Sequence, residues 1–195
     1  MKNNILTIVA CMAFGFANAQ SVRFGVKAGV NISNFTGYQE DVKSLTGFHI
    51  GGFTELKVAK KIAIQPEFLF STQGTTIEGF NGDSNSSIKL NYLNIPVLAK
   101  YYITNAITIE AGPQIGFLLS AKNQGDDIHD FYKTLDFGLN LGCGYEFTDN
   151  IALGVRYTIG LTNVADNSDV PTDYPDFYNL SFKNSNFALS LAYKF

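Results

Sequence analysis

The sequence predicts an all-β fold: an eight-stranded antiparallel up-and-down transmembrane β-barrel. Three observations predict it. Eight segments alternate apolar and polar residues with period two, the signature of a strand with unlike faces. The links between segments alternate between short and long. The apolar face continues from segment to segment, while the other face mixes glycine, serine and nearly balanced charge. A soluble ligand-carrying barrel needs the reverse, apolar within and polar without.

The chain opens Met1-Lys2, runs apolar from Ile5 to Phe16 and then reads Ala17-Asn18-Ala19-Gln20. A charged start, a short apolar core and an A-x-A site make residues 1–19 a secretory signal peptide and residues 20–195 the barrel domain. The apolar run is too short for a spanning helix, which needs about 20 residues. Ile8-Val9-Ala10-Cys11 offers a lipoprotein-type alternative, but its apolar stretch is short and the A-x-A site lies just beyond it. The chain left after cleavage carries one cysteine, Cys143, so an intramolecular disulfide is excluded. The formal charge is −3, and one unit more negative without Lys2. That excludes the basic footprint of a nucleic-acid partner.

Each strand follows from its alternation. In the first, Val22, Phe24, Val26, Ala28 and Val30 oppose Arg23, Gly25, Lys27, Gly29 and Asn31. In the second, Phe48, Ile50, Gly52, Thr54 and Leu56 oppose His49, Gly51, Phe53, Glu55 and Lys57. The third sets Ile62, Ile64, Phe68 and Phe70 against Ala63, Gln65, Glu67 and Ser71. The fourth, around Leu90–Tyr102, is mixed, with Leu93, Ile95, Val97, Ala99 and Tyr101 on one face. In the fifth, Ile107 to Leu119 alternate with Thr108, Glu110, Gly112, Gln114, Gly116 and Ser120. The sixth sets Phe137, Leu139, Leu141, Cys143, Tyr145 and Phe147 against Asp136, Gly138, Asn140, Gly142, Gly144 and Glu146. The seventh sets Ile151, Leu153, Val155, Tyr157 and Ile159 against Ala152, Gly154, Arg156, Thr158 and Gly160. The eighth sets Phe187, Leu189, Leu191, Tyr193 and Phe195 against Ala188, Ser190, Ala192 and Lys194. Eight steps at about 3.3 Å, tilted about 40°, rise about 20 Å, close to the ~25 Å apolar band of an outer-membrane barrel.

Turns are expected near Ala59-Lys60, Thr104-Asn105 and Thr148-Asp149-Asn150, and long polar loops at about 32–46, 74–87, 122–134 and 162–185. Short turns on one side, long loops on the other and an even strand count are the layout of a bacterial outer-membrane barrel, with both chain ends periplasmic. The aromatics then sort into two belts. Phe48, Phe70, Phe117, Phe137, Tyr157 and Phe187 fall near the loops; Tyr101, Tyr145, Phe147, Tyr193 and Phe195 fall near the turns.

On the inward face, Arg23, Lys27, Lys57, Lys100, Arg156 and Lys194 meet Glu55, Glu67, Glu110, Asp136 and Glu146. Arg23, Lys27, Glu55, Glu67, Lys100, Glu110, Asp136, Glu146 and Arg156 are the candidate lumen network. Eight strands leave room only for side chains to fill. Long, oppositely charged groups there are expected to pair and exclude a water column, giving a plugged lumen. Pro66, Pro96 and Pro113 fall inside strands of a closed sheet, where each removes a ladder donor. Bulges are the expected accommodation.

Gln65-Pro66-Glu67-Phe68, Tyr92-Leu93-Asn94-Ile95-Pro96-Val97-Leu98-Ala99-Lys100-Tyr101 and Ala111-Gly112-Pro113-Gln114-Ile115-Gly116-Phe117-Leu118-Leu119, with Phe24-Gly25-Val26-Lys27-Ala28-Gly29-Val30-Asn31 and the terminal Tyr193-Lys194-Phe195, resemble the small bacterial outer-membrane β-barrels called porin-family or PorT-like. The resemblance implies an eight-stranded outer-membrane barrel. It implies no shared activity; one member type is associated with protein secretion. The partners expected are outer-membrane lipid, the barrel-assembly machinery through the C-terminal strand, and a protein at the loops.

No nucleophile, zinc, phosphate-loop or dinucleotide motif is present, so the sequence yields no catalytic residue, metal or cofactor. The alternative class is a small lipid-modifying hydrolase using His49 or His129, with Ser71, Ser120 or Ser190 as candidate nucleophile. A narrow channel is a further alternative. The loops hold Glu40, Asp41, Glu78, Asp83, Asp126, Asp127, Asp130, Asp166, Asp169, Asp173 and Asp176 against Lys43, Lys122, Lys133 and Lys183. The 166–176 run lacks EF-hand spacing and reads as solvated charge. Tyr174, Phe177 and Tyr178 beside it suit a protein-binding tip.

Overall fold

The computed structural model describes residues 21–37, 42–77, 86–165 and 182–195. The signal peptide, eight of the loop acids (Glu40, Asp41, Glu78, Asp83, Asp166, Asp169, Asp173, Asp176) and the Tyr174–Tyr178 tip lie outside the described residues. Eight long strands form the wall: β1 (Ser21–Thr36), β2 (Val42–Ala59), β3 (Ile62–Ile77), β4 (Ser86–Tyr102), β5 (Ile107–Asn123), β6 (Leu135–Glu146), β7 (Ile151–Gly160) and β8 (Lys183–Lys194). Each pairs antiparallel with its chain neighbours, and β8 returns to β1 through Gly25↔Lys194 to Thr36↔Lys183, closing the barrel. A two-residue strand, Asp126–Asp127, folds back on the end of β5.

Two of the three short connections are built alike. Thr104 Oγ1 accepts from the N–H groups of Ala106 and Ile107, and Thr148 Oγ1 from those of Asn150 and Ile151. A threonine hydroxyl taking two main-chain donors holds a tight turn without glycine. The long connections are shorter than the sequence implies. β1 to β5 run 16 to 18 residues, whereas β6 to β8 run 10 to 12. At about 3.3 Å per residue and a tilt of about 40°, the longer strands rise about 40 Å, well past the ~25 Å apolar band.

Where two of them pass it, their polarity inverts. Along β4 the outward residues are Lys89 and Asn91, then Leu93, Ile95 and Val97, while the inward ones are Ile88, Leu90 and Tyr92, then Asn94, Pro96, Leu98 and Lys100, the first polar groups entering only after Tyr92. β1 inverts the same way, from outward Val30 and Ile32 to Thr36, and from inward Asn31 and Ser33 to Phe35. A wall in lipid turns its apolar side chains outward; the same wall in water must turn them inward. The inward face is therefore not polar throughout, as its sequence alternation implies.

The prolines are accommodated without bulges. Pro66, Pro96 and Pro113 each drop out of pairing with the preceding strand, yet the ladder resumes in unchanged register on the far side of each gap. An antiparallel residue directs its N–H to one neighbour only, so each proline interrupts one ladder and keeps its pairing on the other side: Pro66↔Val97, Pro96↔Gln114 and Pro113↔Leu139. The register shifts lie elsewhere, between Ser44 and His49, Lys57 and Ala59, and Asn91 and Tyr92.

Candidate functional site

The lumen is the candidate site, and it is layered. At the turn end Lys100 and Lys194 alternate with Glu55 and Glu146. Lys100 Nζ lies 3.1 Å from Glu55 and 2.8 Å from Glu146; Lys194 Nζ lies 3.1 Å from Glu55 and 2.7 Å from Glu146. Tyr102 donates its hydroxyl to Glu55 at 2.7 Å. Deeper in, Glu67 is a hub with no exposed surface. It takes Lys27 at 2.6 Å, Gln65 at 2.7 Å and both terminal nitrogens of Arg156 at 2.8 and 3.0 Å. Arg156 also reaches Glu110 through Nε at 2.8 Å. Four cations thus meet four anions, each pair joining strands that are not neighbours in the sheet.

Phe53 stands between the two clusters, packed on Ala152 and Ala192 with Lys27 5.6 Å from its ring centroid. Gly25 makes this possible, since a Cβ there would collide with the edge of the Phe53 ring and with the Tyr193 carbonyl. The cavity between the clusters measures about 30 Å³ and is lined by Lys27, Lys100, Glu110, Arg156, Ser190 and Lys194, among others. That holds a water or so and no solute.

Above the charges lies a neutral layer. Asn31 donates to Ser71 Oγ at 2.9 Å and to the carbonyls of Phe48 and Thr72. Its Oδ1 therefore accepts from His49 Nδ1 at 2.8 Å, which leaves His49 Nε2 to accept from Ser190 Oγ at 2.9 Å. Gln73, Asn184, Asn140, Gln114 and Thr158 extend the layer. Ser190–His49–Asn31 has the hydrogen-bond order of a nucleophile, a base and an orienting amide. It also sits behind a cavity the size of a water molecule, with all three side chains buried.

Above the neutral layer is an apolar cap. Phe35, Ile88, Leu90, Tyr92, Leu118 and Ala121 from the strand extensions enclose Tyr132, Val164, Ala165 and Phe182, with Ile128 packed against them. Phe35 and Phe182 stack at 4.8 Å, and Tyr132 closes the group at 6.3 to 6.5 Å. The β5–β6 connection is drawn over the lumen by Lys133 N–H to Val164 O and by a bridge between Tyr132 and Ala165.

Of the sequence candidates, Lys27, Glu55, Glu67, Lys100, Glu110, Glu146 and Arg156 come together in the two ion clusters. Arg23 and Asp136 do not. Arg23 donates to the carbonyl of Asp149 at the rim, and Asp136 accepts from Thr162 at 2.7 Å near the cap. Lys194 completes the turn-end cluster. His129 is a rim residue 3.9 Å from the exposed Asp130. Among the described residues, no group of His, Cys, Asp or Glu is arranged to hold a metal ion. Cys143 faces outward.

Phe48, Phe117, Phe137, Tyr157 and Phe187 toward the loops, and Tyr101, Tyr145, Phe147, Tyr193 and Phe195 toward the turns, all expose their rings on the outer wall; Phe70 is half-buried beside Phe48. Phe24 is also exposed at the turn end, and Phe68 stands on the outer wall between the two sets.

The sequence matches the family described as "Outer membrane protein beta-barrel domain" over residues 18–166. No curated protein matches. Among solved structures, Neisserial surface protein A is similar in fold (TM-score 0.60, 13% identity, covering 90% of this chain and 100% of that one). So is Ail, the attachment invasion locus protein of Yersinia pestis, solved with the heparin analogue sucrose octasulfate (TM-score 0.52, 14% identity, covering 90% of this chain and 100% of that one).

Proposed function

The chain belongs to the outer membrane protein β-barrel domain family, and on that premise we propose that it is a sealed, non-catalytic barrel of the bacterial outer membrane that anchors and displays its loops to a protein partner. The observation that carries this reading is the closed lumen: paired charge, then hydrogen-bonded amides, then an apolar cap. Among the described residues, a barrel so filled offers neither a solute path nor a substrate pocket, which leaves its rim as the working surface.

The leader exports the chain, its last strand engages the barrel-assembly machinery, and both chain ends face the periplasm. The loops then point outward. Eleven acids against four lysines there suit a partner with a basic face, not a polyanion such as the heparin analogue bound to Ail. Affinity capture of the detergent-solubilised barrel tests this. We expect a partner that D126N/D127N/D130N weakens; a partner held equally by both forms, or none, contradicts display by the loops.

The hydrolase reading keeps one specific observation, the Ser190–His49–Asn31 order. A fluorophosphonate probe separates the two. We expect no label on Ser190; labelling that His49→Ala abolishes would replace the sealed-barrel reading with an enzyme.

A further inference from the structure

The turn end carries charge that the lumen does not use. Arg23, Lys57, Lys60 and Lys61 ring two open, adjoining hollows of about 490 and 360 Å³, which share Lys57, Tyr102, Asn105 and Asp149. The acids nearby are committed: Glu55 and Glu146 to Lys100 and Lys194. Among the described residues no ion pair engages Lys57, Lys60 or Lys61. Asp149 is the one acid lining these hollows besides Glu146.

The cations are also positioned. Arg23 is held to the Asp149 carbonyl at 2.9 Å, and Lys57 lies 5.2 Å from the Tyr102 ring centroid. The turn itself presents Lys60 and Lys61 side by side, both exposed. Immediately beside them the outer wall is apolar and exposed: Val58, Ile62, Tyr101 and Ile103. Side chains of that kind lie in lipid, so Lys60 and Lys61, one step beyond in the turn, lie at headgroup height, while Lys57 faces the hollow they adjoin.

We propose that this basic rim binds the phosphates of anionic phospholipids in the leaflet at the turn end. The proposal rests on the barrel's membrane placement but not on which side its termini face. Charge complementarity selects the ligand, and the apolar wall beneath selects a lipid over a soluble anion. A juxtamembrane lysine contributes about 1 kcal/mol toward an anionic surface, about fivefold in affinity each.

The test reconstitutes the full barrel in phosphatidylcholine bilayers with and without phosphatidylglycerol. Boiled and unboiled gel mobility first establishes that the barrel is folded in both, which separates failure of this proposal from failure of the membrane reading. Phosphatidylglycerol is expected to raise the unfolding temperature of the wild type. K57Q/K60Q/K61Q is expected to lose that increment while keeping its phosphatidylcholine value, and to bind phosphatidylglycerol roughly a hundredfold more weakly in native mass spectrometry. The loop-end variant K122Q/K133Q is expected to keep the increment. The proposal is overturned by a wild type indifferent to phosphatidylglycerol, by a triple variant that keeps the increment, or by K122Q/K133Q losing it equally. It is overturned too if inorganic phosphate alone reproduces the increment, because the ligand would then be a free anion.

Discussion

The two ends of the lumen are closed by opposite chemistry. The turn half is a close-fitted ion network with Glu67 and Glu55 at its centres; the loop half ends in an aromatic and aliphatic cap around Phe35, Tyr132 and Phe182. The difference follows from what lies outside the wall. In lipid, apolar side chains are satisfied facing outward, and the inward face is left to polar groups that must complement one another. Beyond the lipid, water surrounds the wall, and the strand extensions fold an ordinary hydrophobic core inside themselves. One chain thus obeys two solvents, and the inversion along β1 and β4 marks where they meet.

The halves should fail differently. The largest effect is expected for Arg156→Ala, which strands Glu110 as a buried charge and leaves Glu67 with Lys27 alone. Breaking a buried pair in this way costs about 3–5 kcal/mol, read as a lower urea midpoint for the lipid-folded barrel. R156M/E110Q, which removes one charge of each sign and keeps the Lys27–Glu67 pair, should recover part of that loss; if it is worse than Arg156→Ala, the pairing is not what matters. Phe35→Ala in the cap should cost about 3 kcal/mol, at the low end of aromatic truncations because loops relax more than strands do. It should expose the β5–β6 connection to protease while the turn half stays intact. Loss of both halves together would mean that they are one cooperative unit.

His49→Ala, between the halves, leaves Asn31 Oδ1 and Ser190 Oγ without their buried partner and should cost about 1–3 kcal/mol, with partial rescue by His49→Gln. Tyr102→Phe removes one hydrogen bond to a carboxylate that keeps two lysines, and about 1 kcal/mol is expected at this half-buried rim.

The eight strands and the faces of their membrane-spanning parts could be read from the sequence because alternation is local: each residue's face depends only on its neighbours'. The inward charges were readable for the same reason. Which of them meet was not, since β3 and β7 are joined only through the closed sheet. Glu67 finds Arg156 across the lumen, whereas Arg23, on the same face as Lys27, turns to a carbonyl at the rim. The cap was hidden because its members sit in stretches that read as mixed or as polar loop. A signal was present in β4, where Leu90 and Tyr92 share the face of Asn94 and Lys100. A change of polarity along one face marks a strand leaving the bilayer. The prolines misled because a one-sided loss of pairing needs no extra residue.

Single-channel recording of the intact protein in planar bilayers tests the sealed lumen most directly. With paired charges below and the apolar cap above, porin-sized steps are expected to be absent from wild type, and absent also from Arg156→Ala and Phe35→Ala singly, because each leaves the other closure in place. Large, stable conductance steps from the wild-type barrel would contradict the account.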